Sequence, residues 1–402
     1  MDLTPRGREK VARLLERGVR IPNPLSIDIG DEVDLERIAS EGVVIYPGCR
    51  IYGSETVISP GVELGAEGPA TVVDCYLGPS VELRAGFFKG SVFLEKAKMG
   101  SGAQVREGCL LEEEASGAHC VGLKQTILFP FATLGSLINF CDCLLAGGTS
   151  RAHHSEVGSS YIHFNFTPDG DKATPSLFGD VPRGVMLDQP PIFLGGQGGA
   201  VGPLRVAYGT VVAAGSVLRD DVLEEGRLVV VGAHRESRRA HRPYAYGNLP
   251  RLLRNNVAYL ANLVALEVWY SAVRAPFFAR QPLGELVLEG ALGVLRAAKE
   301  ERTSRLKSMA QKVPARAACG REFREHVEGL CAVFQERADL PAGDDFLAAF
   351  QAANDQEAGY VKTIQSLAPD LKARGVSWLQ EIVDVLTRRA LGFVPSCGSQ
   401  AT

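Results

Sequence analysis

Long hydrophobic runs are missing from this chain of 402 residues. Its most apolar stretch, VAYLANLVALEVWY at 257–270, is shorter than the roughly 20 residues a bilayer requires and carries Asn262 and Glu267, so no membrane partner is expected. The first residues lack an apolar signal core, which makes the cytoplasm the expected location. A surplus of positive charge is missing too, since 43 Lys and Arg face 47 Asp and Glu. Phosphate neutralisation needs that surplus, so a general nucleic-acid partner is excluded. Zinc-ribbon CxxC spacing is absent, and nine scattered cysteines, an odd number, favour reduced thiols over a disulfide framework. No Gly-rich loop bearing Arg or Lys is present to cradle a nucleoside triphosphate, so no nucleotidyltransferase (pyrophosphorylase) domain is expected.

What is present is a repeat. Ile45, Ile51 and Val57 lie six apart, as do Leu77 and Leu83, then Met99, Val105 and Leu111, then Leu128, Leu134 and Phe140. The clearest run is Leu194, Ala200, Val206, Val212 and Leu218, with the small residues Thr210 and Ser216 four places after an apolar one. A six-residue step fits neither a helix nor simple alternation. It fits a short strand that turns a corner after each hexad, with glycines as in MGSGAQ supplying permissive dihedrals. Three hexads close one triangular coil. The expected fold is therefore a mainly β solenoid, a parallel β-helix of hexapeptide repeats. A β-sandwich with coincidental spacing is the competing reading.

Four segments follow: an N-terminal helix and cap at 1–26, the β-helix at 27–231, a basic linker at 232–250, and a C-terminal all-α domain at 251–402. TPRGREKVARLLERG reads as a helix with Thr4 as N-cap, Pro5 in the first turn and Gly18 as the stop. Leu253, Val257, Leu260 and Val264 keep helical spacing, as do Phe323, Val327, Leu330 and Phe334. The helices are candidates for capping the prism, strengthening an oligomer or binding a protein partner.

Five ordered motifs carry a resemblance: LGPSVELRAG at 77–86, VGLKQ at 121–125, LGSLINFCD at 134–142, HFNFTPDGDKATPSLFGD at 163–180 and YGTVVAAGSVLRDDV at 208–222. The segment 72–222 resembles the left-handed β-helix acyltransferases, closest to the acetyltransferase domain of the bifunctional enzymes that make UDP-N-acetylglucosamine. The resemblance implies a left-handed solenoid, a homotrimer with sites between subunits, and acetyl-CoA as co-substrate. It also implies a sugar phosphate or sugar nucleotide as acceptor. Arg84 and Lys124 match the family's phosphate-binding cations, which suit charge-assisted hydrogen bonds from neighbouring coils. Solvated surface cations are the plain reading of both. Asn165, Phe166 and Lys172 match a loop that contacts sugar and donor across a subunit boundary. Gly196 and Ala213 match small residues under the donor's pantetheine arm, and Arg235, Arg238, Arg239 and Arg242 are candidates for its phosphates.

The departures are as informative. The family's catalytic histidine and the tyrosine three residues later are replaced by Ser136 and Asn139. A serine hydroxyl does not accept an ammonium proton at neutral pH unaided, so another base is required. Candidates are His153, His154, Glu156 and, first of all, His163, beside what reads as an insertion at TSRAHHSEVG. Two rival readings remain. One is a catalytically inactive β-helix that keeps sugar-phosphate binding or assembly; the other is a carbonic anhydrase-like zinc trimer using His119, His154 and His163.

Overall fold

The computed structural model describes residues 6–398 apart from 166, 233–235, 239, 337–338 and 354–357. Short parallel strands stack one coil above another into a parallel β-solenoid with three faces. The first face is a ladder of ten strands running from Val44–Ile45 through Glu82–Leu83, Lys98–Met99, Ser116–Gly117 and Thr133–Leu134 to Leu228–Val229. The second face includes Gly86–Lys89, Ala103–Val105, Ile162–Phe164 and Gly199–Val201. The third includes Tyr76–Leu77, Val92–Phe93, Leu110–Leu111, Ser176–Phe178 and Arg205–Val206. Strands Gly122–Leu128 and Asn139–Leu145 run round the corner between the second and third faces without a break.

The hexad positions fill the interior. Ile45, Ile51, Leu83, Met99, Val105, Leu111, Phe140, Leu194, Ala200 and Val212 are sealed from solvent. Val57 is the exception in direction. It pairs with Tyr76 on the outer side of the third face, and Ile58 takes the inward place beside Leu77. Many corners are turned by residues other than glycine: Ser80 (φ 57°), Lys96 (59°), Glu114 (58°) and Phe131 (69°) all occupy the left-handed region. Each costs of order 1 kcal/mol, which the repeated coil-to-coil hydrogen bonds offset.

The N-terminal helix spans Arg8–Glu16 and is preceded by Gly7 in the left-handed region, so it starts later than Thr4 and Pro5, which lie outside the described residues. Gly18 (φ 98°) ends it. Lys10 Nζ donates to the carbonyls of Gly30, Asp31 and Val33, which closes the helix over the first coil.

The outward positions of the third face are apolar as well. Val92, Leu110, Ile127, Leu144 and Leu177 are buried although they point away from the prism. The C-terminal helices cover them, and each such side chain contributes roughly 1.5–3 kcal/mol. Helix Leu249–Trp269, capped by Asn248, continues through one π-helical turn, Tyr270–Arg274, into Ala275–Phe278. Helix Gly284–Lys312 crosses the solenoid so closely that a Cβ at Gly290 would stand 2.4 Å from the Tyr76 ring. Ala318–Ala332 and Pro369–Gly392 pack outside these. The helices therefore sheathe one side of the prism.

The expectation of uniformly reduced thiols is corrected by a disulfide between Cys319 and Cys397, which joins helix Ala318–Ala332 to the turn Pro395–Gly398. A separation of 78 residues hides the pair from any local spacing pattern.

Candidate functional site

The corner between the first and second faces has a fixed three-residue form, repeated coil after coil: Gly100–Ser101–Gly102, Ala118–His119–Cys120, Gly135–Ser136–Leu137, Gly158–Ser159–Ser160 and Gly195–Gly196–Gln197. The third residue of each is left-handed: φ is 72° at Gly102, 57° at Cys120, 60° at Leu137, 61° at Ser160 and 51° at Gln197. Backbone bonds Cys120 N to Ser101 O (2.8 Å) and Leu137 N to His119 O (3.1 Å) stack the middle residues in a column. His119 consequently lies against Ser136, with Nδ1 2.9 Å from Oγ. The ring is exposed, and Nε2 has no protein partner among the described residues.

A cleft of about 750 Å³ opens beside this column. Arg84, Lys98, His119 and Arg151 line it together with Glu67 and Cys120. Arg84 donates to Glu67 at 2.8 Å, and Lys98 to Glu82 at 2.7 Å. Arg151 comes from the insertion, which is a small hairpin of Gly148–Ser150 and His153–His154. Its Nη1 donates to the carbonyls of Glu114 and Phe131 and to Thr133 Oγ1, at 2.9–3.0 Å, and so straps the hairpin to the wall of the cleft. His153 and His154 hold the hairpin in shape, with Nδ1 3.2 Å from Thr149 Oγ1 and 2.8 Å from Arg151 O respectively.

Arg84 and Lys124 do not converge. Arg84 follows the inward residue of a first-face strand, Leu83; Lys124 follows the inward residue of a second-face strand, Leu123, and so stands at a different corner. Lys124 stacks above Arg106 and Lys89, and the three surround Glu107 at 4.0, 3.9 and 3.2 Å. Between the two corners Asn139 faces outward, its Oδ1 accepting from Cys141 Sγ at 3.1 Å.

His163 is not an available base. Its place opposite Ala200 in the ladder turns it into the prism, between the rings of Phe140 and Phe178 and 2.7 Å from Ser176 Oγ. Burial pushes its pKa down to about 4. It is sealed from any substrate. His119, His154 and His163 therefore sit apart, and no cluster suited to a metal ion is found among the described residues.

The loop that follows His163 is held by residues of its own chain. Asn165 Nδ2 donates to Asp142 (2.9 Å), Arg302 to Lys172 O (3.4 Å), Asn256 to Ala173 O (3.1 Å), Tyr246 to Asp171 (2.6 Å) and Lys312 to Asp169 O (2.6 Å). Arg302, Asn256 and Lys312 come from helices outside the repeat, Tyr246 from the segment before them, and Asp142 from a solenoid strand. Phe166 lies outside the described residues, as do Arg235 and Arg239; Arg238 and Arg242 are exposed.

Gly196 and Ala213 fall on the same corner as Ser136, farther along. A Cβ at Gly196 would meet Ser159 O at 2.8 Å, so close coil stacking already demands glycine there. Lys98 and Arg151 line the cleft, and His119, expected only as a candidate zinc ligand, stands there with them. His119 precedes Ser136 by 17 residues, one coil, a signal present in the sequence.

No family model matches the chain. The bifunctional protein GlmU of Thermotoga maritima is 28% identical over 215 residues, 53% of this chain and 42% of that protein. GlmU of Corynebacterium glutamicum is 27% identical over 230 residues, 57% of this chain and 42% of its own length. The chain thus spans less than half the length of these curated relatives. Among solved structures, LpxA from Acinetobacter baumannii aligns at 13% identity with a TM-score of 0.24, over 69% of this chain and 95% of that one. The stacked hexads and this similarity make the repeat part of the chain similar to the GlmU proteins.

Proposed function

We propose that the protein transfers an acyl group, acetyl in the simplest case, from an acyl-CoA donor to the amine of a phosphorylated or nucleotide-linked amino sugar in the cytoplasm. The observation that carries the reading is the His119–Ser136 pair on the wall of a cleft lined by Arg84, Lys98 and Arg151. With Nδ1–H donating to Ser136 Oγ, His119 presents the Nε2 lone pair to the cleft. Ser136 then acts as the residue that orients the base, and the missing histidine is replaced from the coil below. Nε2 takes the proton of the attacking amine as nitrogen bonds to the thioester carbonyl; the C–S bond breaks and the thiolate leaves.

The guanidinium and ammonium groups offer the substrate phosphate charge-assisted bonds. Asn139, Lys124 and Asn165, on and beside the second face, are assigned to the rest of the sugar or nucleotide. The donor's arm is assigned to the small residues of the same corner, Gly158, Gly196 and Ala213. A homotrimer remains part of the proposal, built through the first and second faces, which the helices leave open.

The test supplies acetyl-CoA with glucosamine 1-phosphate and with UDP-linked amino sugars and measures free thiol. His119→Asn should lower kcat by about 10²–10⁴, and Ser136→Ala by less. Undiminished turnover in His119→Asn rejects the assignment. Ligand binding without thiol release from any acceptor favours the inactive binding or assembly reading.

A further inference from the structure

A second cleft lies far from His119, at the seam between the last coils and the helices. It measures about 420 Å³, within the range of small-molecule sites. The outward position of the third face explains it. From Val92 through Leu110, Ile127 and Leu144 to Leu177 this position is apolar and covered by helix. One coil farther the partner of Leu177 is Arg205, which is exposed. A cation thus stands where every preceding coil in that run supplies an aliphatic seal, and the covering helices part around it.

Arg205 and Arg254 both line this cleft, together with Arg183. Arg183 is already neutralised by Asp180 and Glu225. Arg254 uses one guanidinium nitrogen on Cys397 O (3.0 Å), and the Arg205 side chain has no hydrogen bond or ion pair among the described residues. With Arg183 taken up by Asp180 and Glu225, Arg205 and Arg254 are the lining cations that remain, against one lining carboxylate, Asp384. The rest of the wall is mixed: Asn262, Gln380 and Thr387 are polar, while Leu177, Val206, Val383 and Leu391 form an apolar part, with Leu223 60% exposed at the lining.

We infer that this cleft binds a small amphipathic anion, its carboxylate or phosphate head held by Arg205 and Arg254 and its aliphatic body laid over Leu177, Val206, Val383 and Leu391. Two guanidiniums on the lining bind such a head through charge-assisted N–H···O bonds, and the apolar part of the wall supplies the remaining affinity. The inference is independent of acyl transfer at His119.

The test is calorimetric titration of the intact protein with octyl phosphate and with octanoate, each below its micelle concentration, with octanol and inorganic phosphate as controls. One saturable site is expected for at least one of the two anions, and the tighter of them identifies the head group. Arg205→Ala should weaken binding by about tenfold or more, with part of the loss restored in Arg205→Lys. Because the Arg205 side chain is exposed and unpartnered, this variant should fold normally, which a thermal melt checks. His119→Asn should bind as the wild type does. Equal binding of octanol, or an Arg205→Ala affinity equal to wild type, overturns the inference.

Discussion

Arg302 and Asp142, 160 residues apart in sequence, form a 2.8 Å ion pair with both side chains almost wholly withdrawn from solvent. The other oxygen of Asp142 accepts from Asn165 at 2.9 Å, so a helix residue, a corner residue and the loop are joined in one line. Removing one member leaves an uncompensated buried charge. Arg302→Ala is expected to cost about 3–5 kcal/mol in urea unfolding. It should also raise hydrogen exchange at 165–175 before any other part of the solenoid. Unchanged protection there would mean that the loop is held by its other contacts alone.

A second buried cluster makes stability depend on pH. Arg274, on the π-helical turn, meets Glu112 at 3.3 Å and Glu113, under the rings of Tyr270, Phe278 and Tyr360. Burial pushes the Glu112 carboxyl up to about 7; Arg274 opposes this, Glu113 adds to it, and the Tyr270 hydroxyl lowers it. Glu113 is raised as well, again by burial first, with Arg274 opposing and Glu95 contributing to the rise. A carboxyl raised above its ordinary 4.5 binds its proton more tightly in the fold than in the unfolded chain. Its contribution is complete below about 4.5 and is lost as pH rises through about 7. The melting temperature should therefore fall across that window, and Glu112→Gln should flatten the fall.

The approach of helix Gly284–Lys312 to the solenoid can be tested with two glycines one turn apart. Gly290→Ala drives a methyl into the Tyr76 ring and should destabilise by about 1–3 kcal/mol. Gly293 has nothing within 4 Å of the corresponding position, so Gly293→Ala should be neutral or stabilising by up to about 1 kcal/mol. Chemical denaturation of both variants decides; equal effects would contradict the tight crossing.

Reduction of the Cys319–Cys397 bond should lower stability by about 2–4 kcal/mol. The Cys319→Ser variant should show the same loss without reductant. Because Cys397 O receives Arg254, the loss should be accompanied by weaker anion binding at the seam.

The interior of the solenoid was legible because an inward Leu83, Met99 or Leu134 has no alternative environment, and its spacing survives in sequence. The outer layer was legible in principle. Doublets such as Val92–Phe93, Leu110–Leu111 and Leu144–Leu145 are apolar on both sides of the sheet, which one-sided solvation does not explain. His163 misleads because its neighbours invert the usual pattern. Ile162 and Phe164 point outward, 41% and 43% exposed, while the imidazole turns in. Only the pairing with Ala200 reveals that inversion. Arg84 and Lys124 are separable only once the three corners are counted. The loop's attachment depends on Asn256, Arg302 and Lys312, which no repeat pattern contains.

A bare solenoid is mechanically a stack of plates, each held by the two beside it, and it frays from its ends. The helical sheath changes that arithmetic. One continuous cover touches the coil of Tyr76, the coil of Glu112, the coil of Asp142 and the coil of Pro203, so a plate cannot loosen without disturbing distant ones. The coils beneath the cover should open together or not at all. The N-terminal coils, ahead of that of Tyr76, are left as the place where the stack comes apart, since Arg251 and Asn255 tie the last coil to the cover through Asp221.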